Sequence, residues 1–235
     1  MHMVFMDSTS GGILGLPQTS LTLWISAVIY VFSMIVIRLP LRDKNNPLVL
    51  SFFSFLAGMA IFHLLLGAGH YFHSTQLVHA GIFFVLTGSA FMVRFPLSNH
   101  PKFEKAGFGA MLLIAWSISL LLIIYPHHSE TVMSMAVFAY LMIAAGFSGG
   151  YMIIQGLSCT EIWMKIKAVG GGIGLIICAF MANIFVFFSG FSLIPALLVI
   201  LAPMILLCSV LMGRRAQKIS ENNTACQETS TGSAK

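Results

Sequence analysis

The chain has 235 residues, of which 58% are hydrophobic and only 8% charged, with a net charge of +5. A soluble domain carries about 25% charged residues, and a mean hydropathy of +0.93 excludes an ordinary globular core. The composition is that of a polytopic membrane protein. The basic excess is a matter of topology, so nucleic acid is excluded as a partner, while the lipid bilayer is expected as one.

Seven apolar segments are predicted, each about the 17–25 residues that cross a bilayer core. They run from Ser20 to Ile37, Pro47 to Gly69, Leu77 to Val93, Ala106 to Tyr125, Thr131 to Gln155, Ala168 to Phe188 and Phe191 to Met212. The chain thus divides into an N-terminal arm (1–19), an all-α transmembrane domain of seven helices (20–212) and a tail (213–235). The tail is rich in Ser, Thr, Asn and Lys and is expected to be disordered.

Charge sets the orientation. Arg38, Arg42 and Lys44 fall in the first joint, Arg94, Lys102 and Lys105 in the third, and Lys165 and Lys167 in the fifth. Arg214, Arg215, Lys218 and Lys235 follow the last segment, and no Lys or Arg falls elsewhere. By the positive-inside rule the N-terminus is outside and the C-terminus cytoplasmic, in a plasma membrane such as a bacterial inner membrane. No cleavable signal peptide stands out, since the arm lacks a basic n-region. Cys159 and Cys226 are expected inside and Cys178 and Cys208 within helices, so no structural disulfide is expected. The sequon Asn222-Asn223-Thr224 lies in the cytoplasmic tail and is expected to be unused.

Glycine is placed for helix packing. Gly146 and Gly150 form a GxxxG on helix 5, and Gly170 and Gly174 another on helix 6. Small faces let backbones approach closely. The expectation is intramolecular packing of helices 5 and 6; the alternative is contact with another membrane protein through the same four glycines. Pro195 lies near the start of helix 7, and Pro203 is interior and expected to kink it.

No Asp, Glu, Lys or Arg sits mid-helix, which argues against a carboxylate proton relay and excludes a retinal Schiff base on helix 7. The mid-membrane polar groups are His63, Asn183, Tyr30, Tyr140 and scattered Ser and Thr, and Asn183 is expected to bond a neighbouring helix. Histidine is the exception to this poverty. His63, His70, His73, His79, His127 and His128 fall in the outer half or near the outer surface, His2 in the arm, and only His100 inside. Met59, His63, Gly67 and His70 share one stripe of helix 2, and Gly67 leaves a gap between the two imidazoles. His70 and His79 are placed equidistant from the helix 2–3 turn, so they are expected at similar depth.

Imidazole ligates transition metals and haem iron. The spacing therefore makes His63, His70 and His79 candidate cofactor ligands, and His70, His73, His79, His127 and His128 candidate metal ligands. There is no HExxH and no Cys pair, and a catalytic zinc site would also want a carboxylate base, for which only Glu130 and Asp7 are available outside. The bland alternatives are a buried neutral His63 bonded to a backbone carbonyl, and an interfacial polar rim for the others.

The stretch Leu77-Val78-His79-Ala80-Gly81-Ile82-Phe83-Phe84-Val85-Leu86-Thr87-Gly88 resembles the haem-ligand helix of haem–copper oxidase catalytic subunits. Gly67-Ala68-Gly69-His70-Tyr71 resembles a metal-ligand segment of the same superfamily, without its paired histidines. The resemblance covers residues 67–88 only. The chain has fewer helices than that family and no histidine on helices 5 to 7, which excludes a complete oxidase. What it implies is a haem or metal ligand role for His79, with His70.

The leading expectation is therefore an outward-facing histidine site that binds haem or a transition metal for electron transfer, sensing or metal handling. The second is an uncoupled facilitator or channel for a small solute, and the third a packing subunit of a larger membrane complex. A facilitator needs a polar path through the inner half, where the sequence shows little beyond Ser148, Tyr151 and Gln155. No nucleophile or acid–base pair marks the chain as an enzyme.

Overall fold

The computed structural model describes residues 18–38, 47–98, 100–124, 130–187, 197–209 and 211–212, and every regular element among them is helical. α1 is Gln18–Arg38 and α2 is Pro47–Phe72. α3 starts as Thr75–Ala90, tightens through a 3₁₀ turn at Phe91–Val93 and ends as Arg94–Leu97. α4 is Pro101–Ile124. α5 runs Glu130–Leu141, passes through a π-helical turn at Met142–Gly146 and continues as Phe147–Ser158. α6 is Ile162–Phe187, and α7 is Leu197–Ser209. α1 to α6 are each long and apolar enough to cross a membrane, whereas the described part of α7 is a shorter apolar helix. The arm, the tail, Pro195 and the expected ends of helix 7 lie outside the described residues.

The helices outrun the apolar segments that signal them. α4 begins at Pro101 and α6 at Ile162, so Lys102, Lys105, Lys165 and Lys167 ride on the first two turns rather than in joints; Arg94 likewise lies within α3. Long basic side chains carry their charge to the interface while their stems stay on the helix. Arg94 Nε donates to Glu104 Oε1 at 2.7 Å, and its guanidinium lies over the Phe108 ring, fastening the end of α3 to the start of α4.

Two sets of helices pack by close backbone approach. In the first, α2 crosses α3 at Gly58 and Gly88: a Cβ on Gly58 would lie 2.7 Å from the Phe84 carbonyl oxygen, and one on Gly88 3.0 Å from that of Ser54. Gly81 sits against Phe62, and Gly67 under the Trp24 indole of α1. α4 joins the set through Gly107, which faces Leu97. In the second set, Gly149 of α5 and Gly172 of α6 face each other's carbonyls, Gly156 meets Ala168 and Val169, and Gly170 and Gly174 meet Ser209 and Leu206 of α7. Without a water-driven hydrophobic force between helices in lipid, such close approach is what holds them.

Between the sets, hydroxyls reach across. Ser26 of α1 donates to the Val199 carbonyl of α7 (3.1 Å), and Tyr30 shares a hydrogen bond with Cys178 of α6 (2.9 Å). Tyr140 of α5 donates to Leu86 O and Met111 O, and Ser148 to Met92 O. The π turn explains how Tyr140 and Ser148 both reach α3. Eight residues of α-helix would set them about 80° apart; the wider turn between them absorbs one residue and brings both round to the same face. These pairings run α3 parallel to α5. The ends of α3 and α5 and the starts of α4 and α6 therefore share the basic end of the bundle, opposite the α2–α3 turn.

Candidate functional site

α2 and α3 are joined by His73 and Ser74 alone. His73 takes the left-handed conformation (φ 53°), and the Ser74 N–H returns to Gly69 O at 2.9 Å, a Schellman stop for α2. Ser74 then opens α3, accepting from the Val78 N–H. Gly69 makes room, since a Cβ there would lie 2.7 Å from Val78 Cγ2. The turn is centred at His73–Ser74, one residue earlier than expected. His70 and His79 are therefore two residues, about 3 Å of helix rise, from equal depth.

Met59, His63, Gly67 and His70 all lie on α2, and the middle of the stripe meets α1, His63 at Tyr30 and Gly67 at Trp24. The gap expected beside Gly67 is filled: Trp24 Nε1 lies 2.6 Å from where a Gly67 Cβ would be, and the indole N–H donates to Leu64 O. No planar slot separates the imidazoles as they stand. His63 is buried, with its Nδ1–H donated to Met59 O at 2.7 Å and its ring packed 5.2 Å from both Tyr30 and Phe62. That is the carbonyl-bonded arrangement named above as the alternative to ligation. It also fixes the tautomer, leaving Nε2 with its lone pair.

His70 and His79 are half-buried and His73 exposed. Among the described residues no three His, Cys, Asp or Glu side chains gather so as to hold a metal ion. His127 and His128 lie outside the described residues. The glycine expectation is half met. Helices 5 and 6 do pack together, but through Gly149 and Gly172. Gly150 faces open space, Gly146 meets only Met142 of its own helix, and Gly170 and Gly174 are occupied by α7. In a GxxxG written over Gly-Gly pairs the spacing alone leaves the phase of the contact ambiguous, and here Gly149 and Gly172 are the pair that meet.

What the sequence left unconnected is the middle of the bundle. Tyr30 stacks on His63 and bonds Cys178, so α1, α2 and α6 meet at three side chains with hydrogen-bonding capacity. Each sits a little past the middle of its helix. Nothing in the sequence pairs position 30 with position 178, and Cys178 counted only as an unpaired thiol. Buried serines extend the polar interior along the bundle: Ser20 at the α2–α3 turn end, then Ser26 and Ser33, and Ser148 and Ser209 toward the basic end. The Ser20, Thr87 and Ser89 hydroxyls are buried without a hydrogen-bond partner. Tyr151 is half-buried, and Gln155 turns outward.

Fold and interior together define a polytopic helical membrane bundle with an uncharged polar centre. No family model, curated protein or solved structure matches this chain.

Proposed function

We propose that the chain crosses the membrane seven times, N-terminus outside, and acts as a facilitator for a small neutral solute, without ion coupling. One observation carries this reading: hydroxyl side chains are buried from one end of the bundle to the other, and no charged residue lies mid-span. Three of those hydroxyls lack partners, which is the usual mark of a group awaiting water or ligand. The inner half, which looked too apolar from the sequence, carries its share through Ser33, Ser89, Ser148 and Ser209. In this reading the solute passes Tyr30, His63 and Cys178, the polar side chains that meet at the centre of the bundle. They offer a lone pair at His63 Nε2 and O–H or S–H donors, and so suit a solute that both gives and accepts hydrogen bonds, such as water, a polyol or an amide.

The test is osmotic shrinkage and re-swelling of proteoliposomes followed by light scattering, with water, glycerol and urea as probes. At least one should equilibrate faster than in protein-free vesicles, and His63→Leu should slow it. Flux equal to that of empty vesicles for all three refutes the reading.

A second reading has its own observation: the two-residue turn puts His70, His73 and His79 at the same end of the bundle, although their side chains do not converge on one point. A transition-metal ion there would need further ligands, for which the sequence offers His127 and His128 outside the described residues, and the Trp24-filled stripe favours such an ion over haem. Elemental analysis of the purified protein, with a His70→Ala/His79→Ala variant as the control, decides it. Metal-free protein from metal-supplied cells rejects it.

A further inference from the structure

We infer that the bundle is built as two rigid bodies, α1–α4 and α5–α7, that move against each other along the seam of hydroxyl bonds between them. This division follows from packing and holds whatever the protein carries. Every described glycine whose place is taken up by another helix finds that neighbour in its own body. Gly58, Gly67, Gly69, Gly81, Gly88 and Gly107 look into α1–α4, and Gly149, Gly156, Gly170, Gly171, Gly172 and Gly174 into α5–α7. Ring pairs obey the same division. Trp24–Tyr71, Tyr30–His63, Phe52–Phe95 and Phe91–Phe108 stay in the first body, and Phe138–Phe180 stays in the second. So do the Arg94–Glu104 pair and the Lys167–Trp163 contact.

The indole N–H of Trp24 and the guanidinium of Arg94 also bond within the first body, but the hydroxyl bonds between helices divide the other way. Ser26, Tyr30, Tyr140 and Ser148 all reach across, and three of the four end on backbone carbonyls. The distinction matters because the two kinds of contact respond differently to displacement. A glycine crossing under a carbonyl is locked by repulsion on one side and dispersion on the other, and tolerates little sliding. A hydroxyl bonded to a helix carbonyl shares an acceptor that already serves the helix. It can release that carbonyl, or pass to the next one, without leaving the helix backbone unsatisfied. The apolar core continues across the seam, which suits shear between packed helices as much as it suits rest. His63 lies one ring from the seam, through Tyr30, so movement along it alters the surroundings of the one imidazole buried in the core among the described residues.

Double electron–electron resonance on the full chain in nanodiscs tests this. Spin labels go on exposed sites at the basic end, with Cys159, Cys208 and Cys226 replaced by Ser and Cys178 retained. Leu50→Cys/His100→Cys measures within the first body, and His100→Cys/Thr160→Cys measures between bodies. Each pair is read with and without Tyr30→Phe, Tyr140→Phe and Ser148→Ala, which remove seam hydroxyls and keep the rings. We expect the between-body distance to broaden or split into two populations, while the within-body distance stays single. Equal broadening of both pairs, or no change in either, overturns the inference. If the triple variant does not assemble, Tyr140→Phe alone is measured in the same way, and the same contrast between the pairs decides.

Discussion

Gly149 and Gly150 are neighbours in sequence with opposite surroundings, and replacing each with alanine makes a sharp test. A methyl on Gly149 would come to 2.6 Å from Gly172 O, 2.9 Å from Ile176 Cγ1 and 3.2 Å from Leu175 Cβ. The first of these is backbone, which cannot rotate away, so α5 and α6 must separate or shift. Overpacking of this kind costs about 1–3 kcal/mol. For a chain of this size each kcal/mol moves Tm by about 2–4 °C, giving a fall of roughly 2–12 °C. A methyl on Gly150 meets nothing within 4 Å. It relieves the entropic cost of mid-helix glycine, a gain of about 0.5–1 kcal/mol. Thermal unfolding of the purified protein in a mild detergent, followed by dye labelling of the newly exposed buried cysteine Cys178, reads both. Gly149→Ala should melt lower and Gly150→Ala the same or slightly higher. If Gly150→Ala is the more damaging, the α5–α6 phase described here is wrong and the GxxxG spacing was the better guide.

Three further outcomes are expected. His73→Gly removes a side chain from the left-handed region, where a non-glycine residue costs about 1–2 kcal/mol; metal-free protein should melt higher by a few degrees, and a lower Tm counts against the Schellman turn. Tyr140→Phe leaves two helix carbonyls that keep their backbone partners, so the loss should be modest, about 0.5–1.5 kcal/mol, and a loss as large as that of Gly149→Ala would mean the ring is displaced. Cysteines placed at Thr75 and Lys102, both exposed and at opposite ends of the bundle, should react with an impermeant maleimide from opposite faces of oriented vesicles. Labelling of both from one face would undo the alternating arrangement.

The fold's existence was plain in the sequence because apolar runs of bilayer length have few competing explanations. Helix ends were not, because Lys102, Lys105, Lys165 and Lys167 read as joint residues when they are helix residues with long stems. Helix pairs close in the chain were legible: α2–α3 and α5–α6 are antiparallel neighbours with short connections. Pairs distant in the chain were not, since Tyr30 and Cys178 carry no mutual signal. Gly67 shows the limit of stripe arguments. Spacing places side chains on one face of a helix, but it does not say which neighbour fills the space between them, and here it is Trp24. Tyr140 and Ser148 show the companion limit, that one surplus residue in a turn rephases everything counted through it.

That surplus residue bears on how this chain can change length. In a regular helix, losing one residue turns every later side chain by about 100°; in α2, a deletion before Met59 would swing His63 and Gly67 away from α1. In α5 the turn at Met142–Gly146 already stores the extra residue. Deleting Ile143, which is exposed on the bundle's surface, would close that turn to ordinary helix and leave Tyr140 and Ser148 still facing α3. Among the described spans α5 is thus the one place where the chain can shed a residue and keep its register, which makes it the natural point at which lineages of this protein would differ by a single-codon gap.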